Sequence, residues 1–168
     1  MSRTSLADIS SLPDPLLGYN FDMLIPNIPG GGNTRALTLK CMQTNIPGQQ
    51  IDQILIQLHG AETVSAGRQT FTHTLAVTYL ETRDMTTRDA IRQWMDFTRN
   101  VRTNSGNFKS SYATDAKILM YDDAGTTVRT INIRSMWPQE MPDVALDGAT
   151  STAVNIAVTF QYDSWDDA

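Results

Sequence analysis

The run STAVNIAVTFQYDSW, residues Ser151 to Trp165, decides how the rest of the chain is read. Thr152, Val154, Ile156, Val158, Phe160 and Tyr162 fall on one face of an extended strand, and Ala153, Asn155, Ala157, Thr159 and Gln161 fall on the other. The first is an ordinary core face. The second is polar without a single charge, whereas a freely solvated strand face carries Lys and Glu, which also guard against edge pairing. The pattern recurs upstream, where Thr70, Thr72, Thr74, Ala76 and Thr78 alternate with Phe71, His73, Leu75, Val77 and Tyr79. Two long strands with neutral outer faces predict a sheet that is completed or enclosed by further copies of the same chain.

Composition points the same way. Charged residues make up 18% of the 168, against about 25% in an ordinary soluble domain, as expected for a surface largely used up in contacts. The length suits one domain burying roughly 70% of its unfolded surface. A net charge of −5 is the wrong sign for tight binding to a phosphate backbone, which needs clustered Lys and Arg. Cys41 is the single cysteine, so no intrachain disulfide forms and the residue reads as a small buried apolar side chain. No stretch has signal-peptide character and nowhere do 18 apolar residues run together, so synthesis in a cytoplasm without membrane insertion is expected.

Along the chain, residues 1–18 hold Ser, Pro and Gly without clear periodicity and read as an arm, followed by one β domain over 19–168. Strands are expected at Tyr19–Ile25, Arg35–Gln43 and Gln50–Leu58. Both faces of the third are partly apolar, which predicts protein contact on both sides. His59 to Gly67 reads as a loop longer than a hairpin connection requires, an excursion reaching a partner. Thr86 to Arg99 is the one convincing helix. Thr86 and Asp89 form a capping-box pattern, and Met85 is placed to staple onto Ala90. Ala90, Ile91, Trp94, Met95, Phe97 and Val101 give its apolar stripe, and Arg88, Asp89, Arg92, Asp96 and Arg99 its charged side, with Arg92 and Asp96 paired at i, i+4. Thr103 to Asp115 is a polar loop. Ala116–Tyr121 and Thr127–Ser135 form a hairpin around Asp122-Asp123-Ala124-Gly125, and Trp137-Pro138 ends it. About seven strands and one helix make a mainly β barrel or sandwich.

Catalytic chemistry finds no footing in these residues. His59 and His73 lie in no metal-ligand spacing, and His73 reads as a core residue on an apolar strand face. Asp163, Asp166 and Asp167 lack the alternation and closing Glu of a calcium loop and read as a solvated or interface tail. Neither a nucleophile elbow nor a dinucleotide fingerprint occurs, and the glycines at Gly30-Gly31-Gly32 are not followed by Lys-Ser/Thr. No enzyme activity, cofactor or metal is expected.

Four features together resemble the tail tube proteins of contractile-tailed bacteriophages and related injection devices. They are Asp14-Pro15-Leu16-Leu17-Gly18-Tyr19-Asn20-Phe21, the strand and Pro-Gly turn from Cys41 to Gly48, Met136-Trp137-Pro138, and the final strand closing on Asp163-Ser164-Trp165. The resemblance implies a β-barrel or sandwich with one flanking helix. It further implies hexameric rings whose sheets merge into a larger barrel around a lumen, stacked into a virion tail tube through which DNA passes. Partners implied are the tail sheath, tape measure, baseplate and tail terminator proteins. Within that picture Thr72, Thr74, Asn155, Ala157 and Thr159 face the lumen. His59, Gly60, Glu62, Thr63, Val64 and Ser65 make ring-to-ring contacts, and Arg88, Arg92, Asp96 and Arg99 look toward the sheath. Family lumens tend to be negative, so Asp52 or Glu81 is expected to supply the acid these neutral faces lack. A baseplate tube initiator has a similar domain. A reading of another class, a monomeric β-sandwich binding module, would need exposed aromatics on one concave face, and most aromatics here fall on apolar faces.

Overall fold

A computed structural model describes residues 6–168, the side chain of Ala7 excepted. The alternation in the last long run translates directly into burial. In β8 (Asn155–Gln161), Ile156, Val158 and Phe160 are buried while Asn155 and Ala157 are exposed. β5 (Thr74–Leu80) pairs with it antiparallel, Leu75 opposite Phe160 and Val77 opposite Val158, so the two apolar faces form one surface. Val154 and Thr152 lie before the strand and are exposed.

The remaining strands complete a folded seven-stranded sheet. Its path runs β1 (Phe21–Leu24), β6 (Thr114–Tyr121), β7 (Thr127–Glu140), β8, β5, β2 (Cys41–Thr44), with β9 (Ser164–Asp167) also on β7. β7 is the hinge of the architecture. Its first half pairs with β6 and β9, and its end, Trp137 to Glu140, pairs with β8. Ser135, at φ 54, takes the left-handed conformation between the two halves. The Asp115 carboxylate accepts the Ser135 N–H at 3.0 Å and an Arg134 N–H at 3.1 Å, which holds the bend. Trp137-Pro138 thus does not end the hairpin as the sequence suggests. The strand continues into the other half-sheet, where Pro138 sits on an edge that tolerates a missing donor.

The halves face each other across the core. Met23, Ile118, Ile131 and Ile133 come from one side, and Leu75, Val77, Tyr79, Ile156, Val158 and Phe160 from the other. α3 (Thr86–Thr98) packs Ile91 and Trp94 into this core. The Trp94 ring lies 5.8 Å from Phe160, and its N–H donates to the Tyr112 carbonyl at 2.7 Å, a buried polar tip satisfied by backbone. Val101, expected on the apolar stripe, falls past the helix end and is exposed.

Several elements depart from the sequence reading. Residues 34–40 form a helix, α2 (Thr34–Lys40), capped by the Asn33 side chain accepting the Ala36 N–H, where a strand was expected. Leu37 is its one buried residue, and Leu39 is 74% exposed. α4 (Lys109–Tyr112) and α1 (Leu6–Ser10) are further short helices. The acidic end, expected as a solvated or interface tail, is ordered as strand β9 with Asp163, Asp166 and Asp167 exposed. Arg129 pairs with Asp167, and Arg134 and Asn132 both donate to Asp166. His73 is not a core residue. At φ 57 it breaks the chain before β5, exposed, with Nδ1 3.0 Å from the Tyr162 carbonyl.

The N-terminus of α3 is held by a residue the capping pattern did not name. Met85 occupies the cap position in the left-handed region without a side-chain hydrogen bond. Glu81, its side chain 4% exposed, accepts the N–H groups of Thr82, Thr87 and Arg88 at 2.9, 3.3 and 2.8 Å. Lys40 Nζ stands 4.0 Å away. Burial works to raise the carboxyl pKa, but the three backbone donors outweigh it and hold it below its ordinary value. A depressed carboxylate pKa stabilises the fold above the unfolded value, and that stabilisation is lost as pH falls through the folded one. Glu81→Gln is therefore expected to cost about 1–3 kcal/mol at neutral pH. The difference from wild type should shrink below pH about 4. Urea melts across pH would check it, and a pH-independent difference would remove the carboxylate's role.

Candidate self-assembly surfaces

The hairpin of β3 (Gln50–Leu58) and β4 (Ala61–Thr70) stands apart from the folded sheet, as a separate two-stranded sheet inserted between the adjacent strands β2 and β5. β4 replaces the expected His59–Gly67 loop. Leu58 pairs with Ala61, and His59 and Gly60, at φ 50 and 82, make a two-residue turn with both central residues left-handed. That turn matches the twist of the flanking strands. Further down, Gly67 lies beside a bulge around Asp52, where a Cβ would stand 2.8 Å from the Asp52 carbonyl oxygen. The hairpin thus extends about 30 Å at the usual rise per residue.

Every residue of β3 is exposed. Cross-strand pairing sorts the side chains into two faces. Ile54, Ile56 and Leu58 share one with Ser65, Thr63 and Ala61 and carry no charge. Gln53, Leu55 and Gln57 share the other with Ala66, Val64 and Glu62, and Gln57 donates to Glu62 at 2.9 Å. An isolated two-stranded hairpin is marginal in water. One with this much exposed aliphatic surface is built to be covered.

The second surface is the outer face of the half-sheet β7–β8–β5–β2. Gln161 lies opposite Thr74, Thr159 opposite Ala76 and Ala157 opposite Thr78. Thr72, Thr74, Ala76 and Thr159 border one groove with the turn Asn45 to Gly48. Thr72 itself lies outside the strands, in the break before β5. Register adds a residue the sequence reading missed. Glu140 pairs with Thr159 and is exposed, because the bulge between Pro138 and Glu140 turns it to this side. It is the single charged residue in the four strand segments 41–44, 74–80, 137–140 and 155–161. Glu81 is committed to α3 and Asp52 belongs to the hairpin, so neither expected acid lies on this face.

This half-sheet ends at two open edges, β2 and the end of β7. The third surface is the charged side of α3, where Arg88, Arg92 and Arg99 are exposed and Asp96 half-buried. Arg92 Nε stands 3.9 Å from Asp96, and Arg99 donates to Asn104 at 2.9 Å. Among the described residues no group of His, Cys, Asp or Glu could hold a metal ion. The Cys41 thiol, pushed up to about 11 by burial and further by Asp22, against a hydrogen bond to the Gln43 backbone, stays protonated.

A family model for phage tail tube protein matches residues 19–167. No curated protein matches this chain. Among solved structures the fold is similar to a chain of the PVC sheath–tube complex of an extracellular contractile injection system in its extended state. That likeness has TM-score 0.67 and 15% identity and covers 99% of each chain. The anti-feeding prophage tube-terminating cap gives TM-score 0.68 at 14% identity over 97% of each chain. The SPP1 tail tube gives 0.53 at 12% identity over 91% of this chain and 78% of that one.

Proposed function

Because the chain belongs to the phage tail tube protein family, we propose that it is the repeating subunit of a contractile tail's inner tube, six copies closing a ring and rings stacking into a DNA conduit. The observation that carries this reading is the half-sheet with two open edges. Neighbours in the order β7–β8–β5–β2 are all antiparallel. With an even number of strands, β2 of one copy and the β7 end of the next run in opposite senses, so a ring continues the antiparallel ladder without a break and leaves no edge exposed.

Closure would turn the neutral face inward. Its four strand segments contain neither Lys nor Arg, so nothing on these strands neutralises a phosphate, while Glu140 repeats as a ring of carboxylates that repels one. Thr72, Thr74, Asn155, Ala157 and Thr159 then line or adjoin the lumen. The β3–β4 hairpin, including His59, Gly60, Glu62, Thr63, Val64 and Ser65, supplies axial contacts. The α3 side bearing Arg88, Arg92, Asp96 and Arg99 faces a sheath, with tape measure, baseplate and terminator proteins as further partners. A second reading, inner tube of an extracellular injection device, is favoured by the nearly full-length likeness to the PVC and anti-feeding prophage chains.

Negative-stain imaging of the purified protein tests the proposal. Six-fold rings or tubes are expected, and a monodisperse particle of monomer mass at all concentrations would overturn it.

A further inference from the structure

We propose that the N-terminal arm of one copy docks into an apolar groove beside β1 of a second copy, an inference that rests on the reading that copies of this chain assemble. The arm is amphipathic. Leu6, Ile9 and Leu12 recur at helical spacing through α1 and its last turn, and Leu16 follows beyond Pro13 and Pro15. They are 81, 54, 67 and 49% exposed, an apolar stripe that the chain's own body leaves uncovered.

The groove, about 480 Å³, lies between the end of β1 and α2. Leu24, Ile25, Pro26 and Leu39 supply its apolar wall, and Arg35 is its one charged residue. Arg35 is exposed and has no salt bridge among the described residues. Within the stripe, Asp14 stands between Leu12 and Leu16 and is the acid that docking would bring toward Arg35. Apolarity and charge therefore match between two surfaces of the same chain. No residue of the arm lines the groove of its own chain, and the stripe stays exposed there, which leaves a second copy as host. Pro13 and Pro15 bias the segment that follows the stripe toward extended backbone, which lets it reach across to a neighbour. β1 is also an open sheet edge, so a neighbour's chain can approach there.

Disulfide trapping tests this in a Cys41→Ser background. Protein carrying Leu12→Cys is mixed with protein carrying Leu39→Cys before assembly and oxidised. Both positions are exposed, so folding is not at risk. A crosslinked dimer is expected from the mixture, at least tenfold above either variant alone, and Arg35→Glu on the Leu39→Cys partner should reduce it severalfold. A double variant diluted into excess wild type should remain uncrosslinked within its own chain. Intrachain crosslinking there, or no dimer in the mixture, would overturn the inference. Imaging the same samples separates the two proposals, since rings without a crosslink sink only the arm, and a monomer without rings sinks the tube.

Discussion

Replacing Ile54 and Ile56 with Asp is expected to abolish assembly while leaving the thermal midpoint of the domain nearly unchanged. Both side chains are already exposed in the single chain, and the hairpin pairs only with itself, so the folded core has little to lose. A neighbour that covers this face gains about 1.5–3 kcal/mol for each aliphatic side chain removed from water. Losing two of them and burying two carboxylates in their place should weaken each contact roughly a thousandfold or more. Sedimentation velocity and electron microscopy would read the result. Gln53→Asp with Gln57→Asp, on the opposite face, adds the same charge where Glu62 already stands and should do less. Full-length tubes from the Ile54/Ile56 variant would show that this face does not hold rings together.

What the sequence made legible follows from how many residues each decision rested on. In β5 and β8 strict alternation placed Leu75, Val77, Ile156, Val158 and Phe160 in the core, because a one-residue slip would reverse every side chain. α3 was equally plain, with Ile91 and Trp94 at helical spacing. α2 escapes the pattern because seven residues fit either period. Leu37 and Leu39 alternate as in a strand, and the deciding signal was Asn33 as a cap. The β3–β4 hairpin looks like strand plus loop in the sequence because His59-Gly60 is a less familiar two-residue turn than Asn-Gly. The alternation of Ile54, Ile56 and Leu58, continued by Thr63 and Ser65 across the turn, is the available clue. Glu140 could not be found at all, since its orientation depends on a bulge and on which strand β7 meets after Ser135. Likewise Glu81 caps α3 through a fold-back that no local pattern encodes.

The sharpest test of the outer face compares neighbouring residues on β8. Val158 is 1% exposed and pairs with Val77 inside the core, so Val158→Lys must either bury an ammonium without a partner or neutralise it at a similar cost. That penalty of several kcal/mol is comparable to the roughly 5–15 kcal/mol stability of a whole domain, and no soluble folded protein is expected. Thr159, one residue on, projects to the other side beside Ala76 and Glu140. Thr159→Lys should fold, close rings and build tails, with Glu140 near enough to receive the new charge. Under the proposed conduit reading, however, each added Lys would contact a passing phosphate and release a counterion, and the contact would recur at every subunit of every ring. A small attraction per site thus sums to a large drag on a moving duplex. The expected phenotype is intact particles with slow or incomplete genome ejection, relieved by high salt as the phosphate contacts are screened. Circular dichroism of the two variants checks the alternation independently of any tail. A folded Val158→Lys beside an unfolded Thr159→Lys would mean that the face assigned to the lumen is the core.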